Sequence, residues 1–259
     1  MIPDNTVKLF FQNFQAVLES EWDETSVSDT QLLRGVTVRK WKNANSKINC
    51  QGYKLIFQEY NIIPNYCFEC YKVSIEPRTV VELIKLMLIL DGLTLPNDNT
   101  RKCMIELRPA IKSPYKGFIY CKELEESKDI LNAMREIVSG EISPDIPVTL
   151  KRGCSEYAIV YPDYAKFNQD GSPAMRYKTE WNKYEKLAEE TNLYSHIDLV
   201  KMDSYNPFDG PGFESYDAAV MLNWIKYAAT IGDNSYRVIT DRHVPKMPSL
   251  KRPPYEAKV

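Results

Sequence analysis

The stretch Tyr66-Cys67-Phe68-Glu69-Cys70-Tyr71-Lys72-Val73-Ser74-Ile75 alternates in the period of a β-strand. Tyr71, Val73 and Ile75 fall on one face, and Phe68, Cys70 and Lys72 on the other. Pro77 ends the run. Outward from it, Thr79 to Leu90 has helical spacing, with Val80, Leu83, Ile84, Met87 and Leu88 in one wide stripe and Gly92 at the C-cap position. Cys103 to Arg108 and Gly117 to Cys121 read as strands, with Pro109 and Ser113-Pro114 turning the chain between them. Glu123 to Val138 reads as a helix whose Leu124, Ile130, Leu131, Met134 and Ile137 face a core, stopped by Ser139-Gly140. Pro147 to Lys151 is a short closing strand. This order predicts an α+β fold, a ferredoxin-like (βαββαβ) antiparallel sheet over residues 66–153. Right-handed crossovers then call for two parallel central strands, two antiparallel edge strands, and both helices on one face.

The flanks read as additions to that unit. Residues 1–65 form an N-terminal helical and irregular region packing on the core. A helix from Thr6 to Glu21 is capped by Asp4 or Asn5, a strand is expected at Gly35 to Trp41, and Tyr53 to Ile63 fits strand or helix equally. Residues 154–259 form a C-terminal helical extension and proline-rich tail. Cys154 opens a short helix that Pro162 ends, and Ala174 to Glu190 and Ser215 to Ile231 are helical. The last is apolar nearly all round, so it requires burial on several sides, against the sheet or the N-terminal helix.

Composition narrows the classes. The chain has 259 residues, 44% hydrophobic and 26% charged, which suits a globular fold with a sizeable core. A net charge of −2 supplies no general attraction for nucleic acid, so such binding needs a local basic face. Val80 to Leu90 is too short to span a bilayer, and Met1 to Asn5 lack a secretory n-region. A cytoplasmic protein with no membrane partner is expected. GxGxxG, P-loop, HExxH and GxSxG patterns are absent, which removes the nucleotide-binding and hydrolase classes those motifs mark.

Six cysteines carry the chemical signal, and five of them lie between Tyr66 and Cys154. Cys67-Phe68-Glu69-Cys70 is the single CxxC. If the sheet closes as expected, Cys67, Cys70 and Cys154 meet at one rim and Cys50 can return to it, while Cys103 and Cys121 lie at the opposite rim. Four converging thiolates suit zinc or an iron–sulfur cluster in a redox or structural role. In an extended strand, however, Cys67 and Cys70 point to opposite faces, so sharing a metal requires the chain to turn there. The alternative is that these are small buried apolar residues. A further reading takes Cys154 as a catalytic thiol, because Lys151-Arg152 precede it and a helix follows. No spacing places either histidine, His196 or His243, beside it.

Lys116-Gly117-Phe118-Ile119-Tyr120-Cys121 resembles the third-strand signature of the RNA-recognition motif, with Ile119 where that family has Gly or Ala and Glu123 in place of a final aromatic. The resemblance implies a binding module that stacks bases on an open sheet face through Phe118, Tyr120 and Phe68, with charge from Lys72, Arg108 and Lys151. The same face could take a protein partner. Against this, the C-terminal helices need apolar surface, so Phe118 and Tyr120 are expected to be core beneath them.

Overall fold

The computed structural model describes residues 1–21, 39–42, 50–107, 111–193, 213, 215–241, 243 and 244. Arg108, His196 and the proline-rich tail lie outside them, as does the part of the first expected strand before Arg39. The elements run α1 (Asp4–Glu21), β1 (Arg39–Lys42), α2 (Cys50–Tyr60), α3 (Asn65–Phe68), β2 (Tyr71–Ile75), α4 (Val80–Gly92), β3 (Arg101–Ile105), β4 (Tyr115–Cys121), α5 (Leu124–Glu141), β5 (Val148–Arg152), α6 (Ser155–Val160), α7 (Asn182–Glu190) and α8 (Ser215–Ile231). Among the described residues, 3₁₀ turns sit at Pro162–Ala165, Thr179–Trp181 and Asn234–Val238. The fold is α+β, and no helix among the described residues is long and apolar enough to cross a membrane.

The sheet has the order β1-β3-β4-β2-β5, and every neighbouring pair is antiparallel. The expected pair of parallel central strands is therefore corrected. The strands joined through α4, β2 and β3, are parallel, but β4 lies between them; β4 and β5, joined through α5, are likewise separated by β2. A crossover fixes the direction of its two strands without making them neighbours.

Helices α4 and α5 cover one face. Tyr71, Val73, Ile75, Cys103, Ile105, Tyr115, Ile119, Cys121 and Val148 project into an aliphatic core with Leu83, Ile84, Leu86 and Met87 of α4 and Ile130, Leu131 and Met134 of α5. Burying each such aliphatic side chain contributes about 1.5–3 kcal/mol. The approach of α4 to the sheet is close: a Cβ at Gly117 would lie 2.4 Å from Leu86 Cδ2. At its N-terminus α4 is capped twice. Thr79 Oγ1 accepts from Glu82 N at 3.2 Å, and Asp233 Oδ2 accepts from Val80 N at 2.7 Å and from Tyr115 Oη at 2.7 Å. Helix α8 packs on α1, α4 and the β1–β3 edge, burying Val220, Met221, Leu222, Trp224, Ile225 and Ala228 in the same core.

A second core is aromatic. Ile56, Ile62, Ile63, Cys67, Phe68, Tyr157, Tyr164, Trp181 and Ala188 gather α2, α3, α6, α7 and the intervening turns. Helix α7 starts at Asn182 rather than near Ala174; Phe167 and Pro173 form an isolated bridge instead, around a turn in which Gly171 takes φ +80°. Arg152, 6% exposed at the end of β5, joins the two cores. Its guanidinium lies 4.9 Å from the Phe68 ring centroid and 5.2 Å from that of Tyr164, and it donates to Phe68 O at 2.9 Å and Met175 O at 2.6 Å.

Candidate functional site: thiols around Lys72

The CxxC segment is a turn. Cys67 N donates to Pro64 O at 2.9 Å and Cys70 N to Cys67 O at 3.3 Å, and strand pairing begins at Tyr71 instead of the expected Tyr66. The cause is packing: Cys67 and Phe68 are consecutive and both buried in the aromatic core, which an extended strand with alternating faces cannot arrange. Phe68, expected on the open sheet face, is corrected to that core for the same reason, with 2% exposure.

Beyond Tyr71 the β2–β5 ladder adds one more bond, Gly153 N to Cys70 O at 2.7 Å. Gly153 takes φ +53°, and a Cβ there would meet Tyr164 Oη at 1.8 Å, so only glycine lets the chain turn beneath that ring. Cys154 follows as the N-cap of α6, extended and with no side-chain cap bond. Lys72 reaches across from β2, its Nζ 3.0 Å from Gly153 O and 3.7 Å from Cys154 Sγ. The same ammonium lies 5.1 Å from the Tyr120 ring centroid. Among the described residues, no carboxylate pairs with Lys72.

Cys50, Cys67 and Cys70 complete the group. Burial works against the Lys72 charge, yet the acidic groups around it, Tyr120 first and then Cys154, Cys70 and Cys50, outweigh burial and raise its pKa. The thiols are pushed up. Burial raises Cys70 to about 11 despite Lys72 nearby. Burial also raises Cys67, against a contact of 3.5 Å between its Sγ and Tyr157 Oη. Cys50 is exposed at the start of α2, but desolvation by the surrounding chain still raises it, followed by the charge of Cys154. For each of these three thiols, Cys154 is the thiol neighbour whose charge raises the pKa most. Cys67 is buried, whereas Cys70 and Cys154 are half-buried.

Cys103 pairs with Gly117, which pairs with Ile75 at the end of β2 far from Cys70, so it lies toward the opposite rim as expected, but Cys121 does not. Cys121 pairs with Tyr71 across the antiparallel β2–β4 ladder, so it lies at the rim that carries Cys70, and both thiols face the aliphatic core. The misplacement follows from the parallel arrangement expected for the central strands. Among the described residues, no three or more of the His, Cys, Asp and Glu side chains are arranged to hold a metal ion. His243 is exposed, and no histidine among the described residues bonds Cys154.

On the sheet face away from α4, Phe118 and Tyr120 are half-buried and belong to neither core. Lys102 Nζ lies 5.5 Å from the Phe118 centroid and 5.6 Å from that of Tyr120. Among the described residues, α8 does not cover them as expected, because it packs into the layer of α4. The sequence reading assigned Lys72 to this face as general positive charge. It missed Lys72 as a partner of Cys154, and it missed Tyr157 and Tyr164, whose hydroxyls meet Cys67 Sγ and Cys67 O. The single signal in the sequence was that Lys72 and Cys70 share a strand face two residues apart. No family model, curated protein or solved structure matches this chain.

Proposed function

We propose that this protein works through a reactive thiol, Cys154, held beside the ammonium of Lys72 where the two cores meet. The observation that carries this is the 3.7 Å contact from Lys72 Nζ to Cys154 Sγ, made by a lysine with no carboxylate partner among the described residues. A cation left without a carboxylate in a half-buried setting favours whatever negative charge forms next to it, and here that is the sulfur. Lys72 acts as a fixed charge and not as a base, since its own pKa is raised. The ferredoxin-like reading of β2 to β5, with β1 as an added edge strand, supplies the rim on which these groups meet. Six free thiols support a reducing, cytoplasmic setting.

A zinc or iron–sulfur centre on Cys50, Cys67, Cys70 and Cys154 is the second reading, supported by their mutual electrostatic influence. It requires Lys72 to swing away, because an ammonium at that distance repels a cation on the same sulfur. The sheet face with Phe118, Tyr120, Lys72 and Lys102 supports a third, a binding surface for RNA or a protein partner.

Iodoacetamide labelling at neutral pH, followed residue by residue by peptide mass spectrometry, tests the thiol reading. Cys154 is expected to react about tenfold faster than Cys67, Cys103 or Cys121, with that advantage lost in Lys72→Met and recovered in Lys72→Arg. Labelling of Cys154 at the pace of the buried thiols, or indifference to Lys72→Met, removes it. Protection of all four rim thiols by stoichiometric zinc favours the metal reading instead.

A further inference from the structure

We infer that Cys70 is the resolving thiol for Cys154, so that the pair takes electrons to a small disulfide by thiol–disulfide exchange; this rests on the reactive-thiol reading of Cys154. Three observations select Cys70. The ladder bond from Gly153 N to Cys70 O, 2.7 Å, sets Cys70 opposite Gly153 and so places Cys154 one residue beyond the paired position. Opposed residues in an antiparallel pair have Cα atoms about 4.5–5.5 Å apart, and a disulfide spans about 4.4–6.8 Å between Cα atoms. Lys72, whose ammonium touches Cys154, lies two residues from Cys70 and its charge also acts on the Cys70 thiol. Finally, Cys70 and Cys154 are both half-buried, whereas Cys67 is 6% exposed and engaged with Tyr157 Oη. Cys50 is accessible, but it sits on α2 with no backbone bond to hold it against Gly153 or Cys154.

The chemistry balances without any cofactor. Cys154, its proton released to solvent, attacks one sulfur of a small symmetrical disulfide. A mixed disulfide forms on Cys154, the substrate S–S bond breaks, and one small thiolate leaves and takes up a proton. Cys70 then loses its proton and attacks Cys154 Sγ. The Cys70–Cys154 bond forms, the mixed disulfide breaks, and the second small thiolate leaves and is protonated. Two protein thiols are oxidised to one disulfide, and one small disulfide is reduced to two thiols. Lys72 is positioned to balance charge on Cys154 in both steps, as nucleophile in the first and as the attacked centre in the second.

The test uses the reduced full chain, freed of reductant and exposed to oxidised glutathione, with disulfides mapped by non-reducing peptide mass spectrometry. The expected product is a Cys70–Cys154 disulfide with no glutathione retained, while Cys70→Ser keeps glutathione on Cys154. Retention of glutathione on Cys154 in the unaltered chain, or a bond from Cys154 to Cys50 or Cys67, overturns the assignment of Cys70 and leaves Cys154 reactive. A Cys154 that oxidised glutathione never modifies overturns the reactive-thiol reading as well.

Discussion

The two cores are built on different principles. Beneath α4, α5 and α8, the sheet packs aliphatic side chains, and the polar contacts lie at the edges, as with Asp233 at the start of α4 and Asp4 on Lys85 at 2.5 Å. The core of α2, α3, α6 and α7 packs rings, with Phe68 against Tyr164, Tyr177 and Trp181 at centroid distances of 5.4, 5.6 and 6.3 Å. Its interior carries hydroxyls, a guanidinium and a thiol that need partners. Tyr164 Oη donates to Cys67 O at 2.6 Å, and Tyr161 Oη donates to Asn61 O at 2.5 Å. An aliphatic core tolerates exchange among residues of like volume, whereas a ring core with polar tips fixes direction as well as volume. The difference explains why the candidate chemistry sits at the boundary. The ring core can turn the backbone sharply at Cys67 to Cys70 and at Gly153, and the sheet then presents Lys72 to what those turns expose.

Removing the largest side chain of the aliphatic core should give the greatest effect. Trp224→Ala deletes a ring with 0% exposure and is expected to cost about 3–5 kcal/mol, read as a lower urea midpoint for the whole chain. A loss under about 1 kcal/mol would mean that α8 contributes little and would break the comparison on its aliphatic side. Gly153→Ala strikes the boundary. Its Cβ collides with Tyr164 Oη and its positive φ becomes strained, for an expected loss of about 1–3 kcal/mol. Amide exchange should show that loss concentrated in α3 and α6, with α4 and β3 protected; equal loosening everywhere would show that Arg152 couples the cores too tightly to be treated apart.

The smallest effect is common to both regions. Burial raises Cys70, at the boundary, from 9.0 to about 11, and Cys121, in the aliphatic core, from 9.0 to about 12. Each thiol keeps its proton longer when folded. Between the two values the unfolded chain binds fewer protons, so the stabilisation is complete below about pH 9 and is lost as pH rises toward about 11 for Cys70 and about 12 for Cys121. Urea midpoints at about pH 8 and about pH 10 should differ in that direction, and the difference should shrink in a Cys70→Ala, Cys121→Ala double variant. A midpoint that rises over this interval contradicts the burial of both thiols.

The aliphatic region was the more legible. Ser215 to Ile231 was delimited at both ends, and α4 begins one residue after the expected start, because a long apolar run with Thr79 ahead of it leaves little choice of structure. Helix α5 ran past Gly140 to Glu141, since Ile142 N still finds Val138 O at 3.0 Å. The aromatic region was read poorly. Tyr66 to Cys70 alternates like a strand, but ring packing overrides a pattern only five residues long. The turn from Phe167 to Trp181 hides between residues with acceptable helical spacing. For the site, Cys70 and Cys154 were brought together by strand order alone. Lys72 was not seen because a lysine on an alternating strand looks the same whether it faces water or sulfur.

Asp233 has a consequence for how the chain is made. Its carboxylate closes the first turn of α4 and holds the Tyr115 hydroxyl, although more than a hundred and fifty positions of chain separate it from Val80. During synthesis the strands and helices of the sheet emerge long before that carboxylate does. The hydrophobic helix must then wait, its leading amide satisfied by solvent, for a side chain that leaves the ribosome only after the whole sheet has been made.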